Sequence, residues 1–320
     1  MFTHKDIEFR SIFVINCLEE RSFKVQSGEL LIKDSNTGKT LTKFPFQKIL
    51  ALFIIGHATI TTPMIENCKK YNVYIAVMKP NLRPVFNYST NAEANYLLRE
   101  RQYSLDKNDL RIARNLIKNK ISNQIKLLKN TRRKDSTTTY SIECCDEALE
   151  LIDDTKTLKD LMGLAGWAAK MFFKAYYQDQ SWNQRQPRVK CDVINVTLDI
   201  GYTILFNFIE TYTRMFGFDL YRGVFHQVWF KRKSLICDLV EPFRCIIDRQ
   251  VRKSFNQEQF TKSQFKLMKN EYVLKFNYTS LYYNTFCKAL IDYKVDIFKF
   301  IQGYYRYFMN NNNTFPKFII

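Results

Sequence analysis

Between residues 11 and 86 short runs of alternating or continuous apolar positions give a mainly β pattern, and the apolar spacing lengthens to three or four beyond the mid-nineties. The early part predicts short β-strands at 11–14, 22–26 and 29–33. Ser27-Gly28 turns the chain between the last two, and Asn36-Thr37-Gly38-Lys39 forms another turn. Residues 48–55 are almost continuously apolar, as in a buried strand, and Gly56-His57 closes them. Thr61-Thr62-Pro63 predicts the start of a short helix over 64–71, because proline is tolerated in a first helical turn. A buried strand at 73–78 and an extension at 83–86 complete a small β-sandwich-like domain over residues 1–87.

The polar, turn-rich stretch Asn87 to Asn95 predicts a domain boundary, with a linker at 88–96. The remainder, 97–320, reads as a larger helical domain, which makes the fold class α+β. Helices are expected over 94–103, 106–130, 142–153, 158–180, 193–216, 239–253 and 278–308. The helix at 106–130 keeps Ile112, Leu116, Ile125 and Leu128 on one stripe and a basic face opposite. Residues 131–140 read as a polar loop. Residues 255–272 read as a polar and aromatic connection with a helix at 261–270, and 310–313 as the start of a frayed tail.

Composition then narrows the partners. Lys and Arg outnumber Asp and Glu by 49 to 31, a formal charge of +18, on a chain whose 46% hydrophobic content marks it as folded. Such a surplus points to a polyanion, with nucleic acid ahead of a membrane surface. No apolar run reads as a membrane span and no secretory signal opens the sequence, so a cytoplasmic protein is expected. The eight cysteines form no C-x-x-C pair; apart from the adjacent Cys144-Cys145 they sit singly, as reduced thiols do.

The chemistry concentrates between residues 217 and 248. One of three histidines, His226, lies in a loop-like segment, and Asp238 and Glu241 follow three apart, expected on one face of a helix in whose first turn Pro242 fits. An imidazole and a carboxylate converging from loop and helix suit a divalent metal, Mg²⁺ or Mn²⁺ where oxygen ligands dominate. Acidic residues at a helix start also suit the helix dipole without any metal, so both readings stand on the residues alone.

This segment, His226 … Ser234-Leu235 … Asp238-Leu239-Val240-Glu241-Pro242-Phe243-Arg244 … Asp248-Arg249, resembles the active-site segment of the CRISPR-associated integrase family, the larger of the two core spacer-acquisition proteins. Arg185-Gln186-Pro187 … Asp192-Val193-Ile194-Asn195 … Gly201-Tyr202 and Leu161 to Ala169 resemble two further family segments, in the same order. The N-terminal block resembles the family's first domain more weakly. The family carries a metal-binding glutamate just before the second glycine of a Gly-x-Glu-Gly run; here that position is Ala165.

The resemblance implies an enzyme of CRISPR adaptation: a metal-dependent DNA endonuclease and integrase. It would insert prespacer DNA into the CRISPR array through attack of a 3′-hydroxyl on a phosphodiester. The implied metal ligands are His226, Glu241 and the lost ligand at Ala165, with Asp238 binding the metal or orienting the histidine. A methyl group cannot ligate, so the chain is expected to be inactivated at Ala165. Arg185, Arg188, Lys190, Arg222 and Arg244 are the expected phosphate contacts. The implied partners are double-stranded prespacer DNA and CRISPR repeat DNA, a second copy in a homodimer, and a small ferredoxin-like partner bridging two dimers. Some systems add an iron–sulfur exonuclease; no membrane is involved. Two rivals remain: a non-catalytic DNA-binding scaffold, and a general metal-dependent nuclease on branched DNA.

Overall fold

The computed structural model describes residues 3–17, 21–89, 94–106, 108–132, 135–180, 182, 184–309 and 314–320. A short helix, α1 (His4–Phe9), precedes the strands β1 (Ser11–Cys17), β2 (Arg21–Gln26), β3 (Glu29–Asp34), β4 (Thr40–Pro45) and β5 (Ile49–Gly56). Helix α2 (Thr62–Tyr71) leads to β6 (Tyr74–Met78) and β7 (Pro84–Tyr88). Two sheets result: a mixed one in the order β1-β5-β6-β7, parallel except at its β7 edge, and an antiparallel β2-β3-β4 meander. Helix α1 and strand β4 carry weak periodicity and were not expected from the pattern.

Strand β5 explains its own composition. Leu52 and Ile54 face the meander and α2, while Ala51, Phe53 and Ile55 face the helices. Burial on both faces removes the need for alternation. Phe53 meets Phe208 of the helical part at a centroid distance of 5.0 Å, so sheet and helices share one apolar contact surface.

The rest of the chain is chiefly helical: α3 (Tyr96–Tyr103), α4 (Arg111–Lys129), α5 (Ser136–Leu151), α6 (Leu158–Tyr176), α7 (Val193–Phe216), α8 (Ser234–Leu239), α9 (Arg244–Asn256), α10 (Thr279–Ile291) and α11 (Lys294–Met309). The α+β expectation holds, and three local expectations need correction. The loop expected at 131–140 already contains helix from Ser136, because the Asp135 side chain accepts from the Thr138 amide at 2.9 Å and caps it. The helix expected at 261–270 is a hairpin of β8 (Phe265–Met268) and β9 (Glu271–Leu274), turned by Lys269 and Asn270, both left-handed. The helix expected at 278–308 is two. The tail positions 310–313, like part of the expected linker at 90–93, lie outside the described residues. Residues 314–320 beyond them dock on α4: Asn119 donates to Phe318 O at 2.6 Å and accepts from Phe318 N at 2.9 Å.

Helix α7 is the axis of the helical part. Asp192 caps it through the Asn195 amide, and Gly217 ends it in left-handed backbone at φ 87°. By length and hydropathy it could cross a membrane, contrary to the sequence expectation, but two thirds of its most apolar window is covered by protein. A Cβ on its Gly201 would lie 2.5 Å from Ile247 Cγ2, so α9 can approach only because that position has no side chain. Through that contact α7 sets the position of α9, and with it Asp248 and Arg244.

Candidate functional site

Asp238 and Glu241 do not share a helix. Pro242 has no amide hydrogen and cannot continue the α8 ladder, so the chain leaves α8 at Val240, tightens into a single 3-10 turn over Glu241–Phe243, and restarts as α9. The two carboxylates therefore meet different neighbours.

Asp238 is fully buried and its two oxygens organise the preceding loop. Oδ2 accepts from the Val224 and Phe225 amides at 2.6 and 3.1 Å, and Oδ1 from the His226 amide at 2.8 Å. Oδ1 also lies 2.8 Å from His226 Nδ1. With both carboxylate oxygens acting as acceptors, Nδ1 carries the hydrogen and Nε2 keeps its lone pair. Of the two roles expected for Asp238, this is the orienting one. Gly223 makes it geometrically feasible: a Cβ there would sit 2.7 Å from Asp238 Oδ2 and 2.8 Å from Ser234.

Glu241, 4% exposed, lies between two cations. Arg244 binds Oε1 through Nε and Nη2, each at 2.9 Å, and Lys120 Nζ of α4 stands 2.8 Å from Oε2. The lysine contact is an ion pair off the axis of an ideal hydrogen bond. Burial alone would raise the Glu241 carboxyl, but Arg244, then Lys120 and His226, outweigh it and hold the group down at about 2. The same α4 helix fixes the turn from below, since Asn123 donates to Pro242 O at 3.1 Å. Nothing in the sequence singled out Lys120; on a basic amphipathic helix it looks like one more solvated charge.

A further buried carboxylate, Asp248, lies one helical turn beyond Arg244. Tyr202 donates its hydroxyl to Asp248 Oδ1, and Tyr202 also stacks under Arg244, 4.6 Å from guanidinium carbon to ring centre. Burial pushes Asp248 up to about 7, against the Tyr202 hydrogen bond and the charges of Arg244 and Arg185, which pull it down. A carboxyl raised in the fold lends stability that is complete below its ordinary 3.8 and lost as pH climbs through about 7. Asp248→Asn keeps the acceptor for Tyr202 without the charge. It is expected to gain on the order of 2–4 kcal/mol over the parent at pH 8 and little at pH 4. Urea midpoints of both proteins at the two pH values check this, and an equal difference at both would refute it.

The expected phosphate contacts divide. Arg244 is committed to Glu241. Arg185 pairs with Asp199, donates to Asn195 Oδ1 at 2.8 Å, and its guanidinium carbon lies 5.5 Å from the Tyr202 ring centre. Lys190 pairs with Glu271 at 2.8 Å. Arg222 turns inward to long contacts of 3.5 Å with the carbonyls of Gln102 and Leu105. Arg188 is exposed on a left-handed turn whose amide is held by Asp199 at 2.9 Å. The aromatic groups 172–173 and 176–177 pack against one another.

Ala165 is buried in α6, which packs on α4. Three observations bear on a divalent metal here. Both oxygens of Asp238 are taken by four donors, both oxygens of Glu241 face cations, and position 165 offers a methyl group. Among the described residues no group of three or more His, Cys, Asp or Glu side chains could hold a metal ion. Only His226 Nε2 remains uncommitted, so the residues present do not fit a hard divalent cation.

The comparisons place this chain in a known family. The sequence profile of "CRISPR associated protein Cas1" matches residues 17–288, and the chain belongs to the Cas1 family. Among curated relatives, CRISPR-associated endonuclease Cas1 1 of Francisella tularensis subsp. novicida (strain U112) is 27% identical over 257 residues, 76% of this chain and 79% of that protein. CRISPR-associated endonuclease Cas1 1 of Thermodesulfovibrio yellowstonii is 28% identical over 245 residues, 73% and 76% of the two chains. Among solved structures, a casposase bound to integration product superposes with a TM-score of 0.77 at 20% identity, covering 95% of this chain and 92% of that one. A Cas1 protein from Thermotoga maritima gives 0.76 at 16% identity, covering 96% and 100%. These structural likenesses establish the fold.

Proposed function

We propose that this chain acts in CRISPR adaptation as a Cas1-type DNA-capturing subunit whose own strand-transfer centre is silent. The observation carrying this reading is the neutralisation of Glu241 by Lys120 and Arg244, together with an alanine at position 165 of α6, where the family resemblance implies a metal-binding glutamate. The excess of positive charge, +18, supplies the sequence-independent part of DNA binding. A homodimer joined to a small ferredoxin-like partner is the assembly we infer. One of the fold neighbours is a Cas6-RT-Cas1--Cas2 complex, which supports a two-protein core.

The test is integration of a short duplex with free 3′-hydroxyl ends into a plasmid carrying a repeat, with Mg²⁺ or Mn²⁺ and the small partner present. It is run on this chain and on Ala165→Glu, each with and without His226→Ala. This chain should bind DNA and join none. Ala165→Glu should gain at least about 10²-fold, the scale of one restored electrostatic stabiliser, and His226→Ala should abolish the gain. Joining by the unaltered chain that survives His226→Ala would overturn the site assignment. DNA binding with no joining in any form would favour the permanent-scaffold version.

A further inference from the structure

Residues 314–320 form neither helix nor strand, so the main chain there must find partners on side chains. Helix α4 supplies them from two asparagines one turn apart, Asn119 and Asn123, 7% and 2% exposed. Asn119 clasps Phe318 at both its carbonyl and its amide, and Asn123 Oδ1 accepts from Ile320 N at 3.1 Å. Rings seat the segment. Phe315 lies among Phe300, Tyr304 and Tyr307, and Phe318 meets Phe243 at a centroid distance of 4.7 Å. Pro316 rests on Gly303 of α11, where a Cβ would come within 2.8 Å of it. Asparagine is a poor choice for a buried helix face unless its amide is satisfied, and at both positions the segment helps to satisfy it.

We infer that residues 314–320 are a strap that fixes the turn carrying Glu241, with Asn123 as the positioning residue between them. Asn123 Nδ2 donates to Phe318 O at 3.0 Å and to Pro242 O at 3.1 Å, one amide hydrogen for each. A single side chain thus joins the strap to the residue beside Glu241. The Phe318 ring makes a second connection, through Phe243 on the other side of Pro242. Lys120, three positions before Asn123, grips the same turn by its charge at Glu241 Oε2. Strap, Asn123 and Lys120 therefore all act on the 3-10 turn over Glu241–Phe243. The strap is the part of this arrangement that can leave without breaking a helix or a sheet, because side chains rather than a ladder hold its backbone. With the seat empty, Asn123 loses Phe318 O and Ile320 N, and Phe243 loses a covering ring. The turn then opens more often, and Glu241 is held less firmly against Lys120 and Arg244. The inference concerns where Glu241 sits and stands whether or not the chain captures DNA.

Hydrogen exchange read by mass spectrometry tests this, with amides 240–247 reporting the turn and amides 52–55 of β5 reporting global opening. Asn123→Ala in the full chain should speed exchange at 240–247 about tenfold, the scale of one buried hydrogen bond, and leave β5 unchanged. A chain stopped after residue 309 should show a larger acceleration confined to the turn. A synthetic peptide of residues 314–320 added to it should restore the protection, but not when the shortened chain also carries Asn123→Ala. A scrambled peptide of the same composition should restore none. Equal acceleration at the turn and in β5 would reduce the segment to general packing and overturn the strap. Unchanged exchange at the turn in Asn123→Ala would overturn it as well, a result that does not depend on the shortened chain folding.

Discussion

Replacing Glu241 by alanine is expected to lower the unfolding free energy by about 3–5 kcal/mol, the scale for breaking a buried ion pair from one side. The cause is what remains. Lys120, 13% exposed, and the part-buried Arg244 would face each other with no carboxylate between them. Either cation alone would be tolerable at a surface, but here the protein interior screens them poorly. The double substitution Glu241→Ala/Lys120→Met removes the repulsion between the two cations and should recover a substantial part of the loss. The same pairing sets an acid limit. A carboxyl lowered in the fold lends stability present above its ordinary 4.5 and lost as pH falls through its folded value of about 2. The Glu241→Ala protein should therefore lack that portion of the parent's acid unfolding, and the gap between the two should close as pH drops from 4.5 toward 2. Urea titrations at pH 7 and pH 3 measure both effects. An unchanged midpoint for Glu241→Ala would mean that Lys120 and Arg244 do not depend on it, which would also undercut the silent-site reading.

The parts of this architecture that could be read from the sequence are those whose cause is local. Strand β5 announces itself because both faces are buried, and α7 because Asp192 caps a long apolar stripe that ends at Gly217. His226, Asp238 and Glu241 stood out as a histidine followed by two carboxylates three residues apart. What escaped depends on distant neighbours or on a single backbone atom. The missing amide hydrogen of Pro242 was read as the start of one helix, whereas it separates two and puts Asp238 and Glu241 in different environments. The hairpin of β8 and β9 hides behind a mixed pattern, and only its Lys-Asn turn hints at it. Lys120 lies 121 positions before Glu241, and no spacing rule connects them. Arg185, Arg222 and Arg244 look like free cations in one dimension, but the fold commits their guanidinium groups to Asp199, to carbonyls of the α3 end, and to Glu241.

Asp238→Ala is expected to have an effect of similar size through a different mechanism. Its carboxylate is the acceptor for three backbone amides and the His226 ring within a fully buried space. Each buried donor left without a partner costs about 1–3 kcal/mol, reduced where water enters the vacated volume, so a total loss on the order of 3–5 kcal/mol is expected. Asp238→Asn is no substitute: its amide nitrogen can replace neither oxygen as an acceptor, so one pair of donors is still stranded. The local consequence is on His226. Without Oδ1 nothing holds the hydrogen on Nδ1, and the ring should turn and shift toward the Nε2–H tautomer, which closes the only uncommitted donor atom of the site. Long-range ¹H–¹⁵N correlation of the imidazole reads the tautomer directly, independently of any activity. The parent should show Nδ1 protonated, and Asp238→Ala should lose that pattern along with several kcal/mol of stability. A variant that kept the Nδ1–H tautomer and the parent's unfolding midpoint would show that the loop from Gly223 to His226 is held by something other than Asp238.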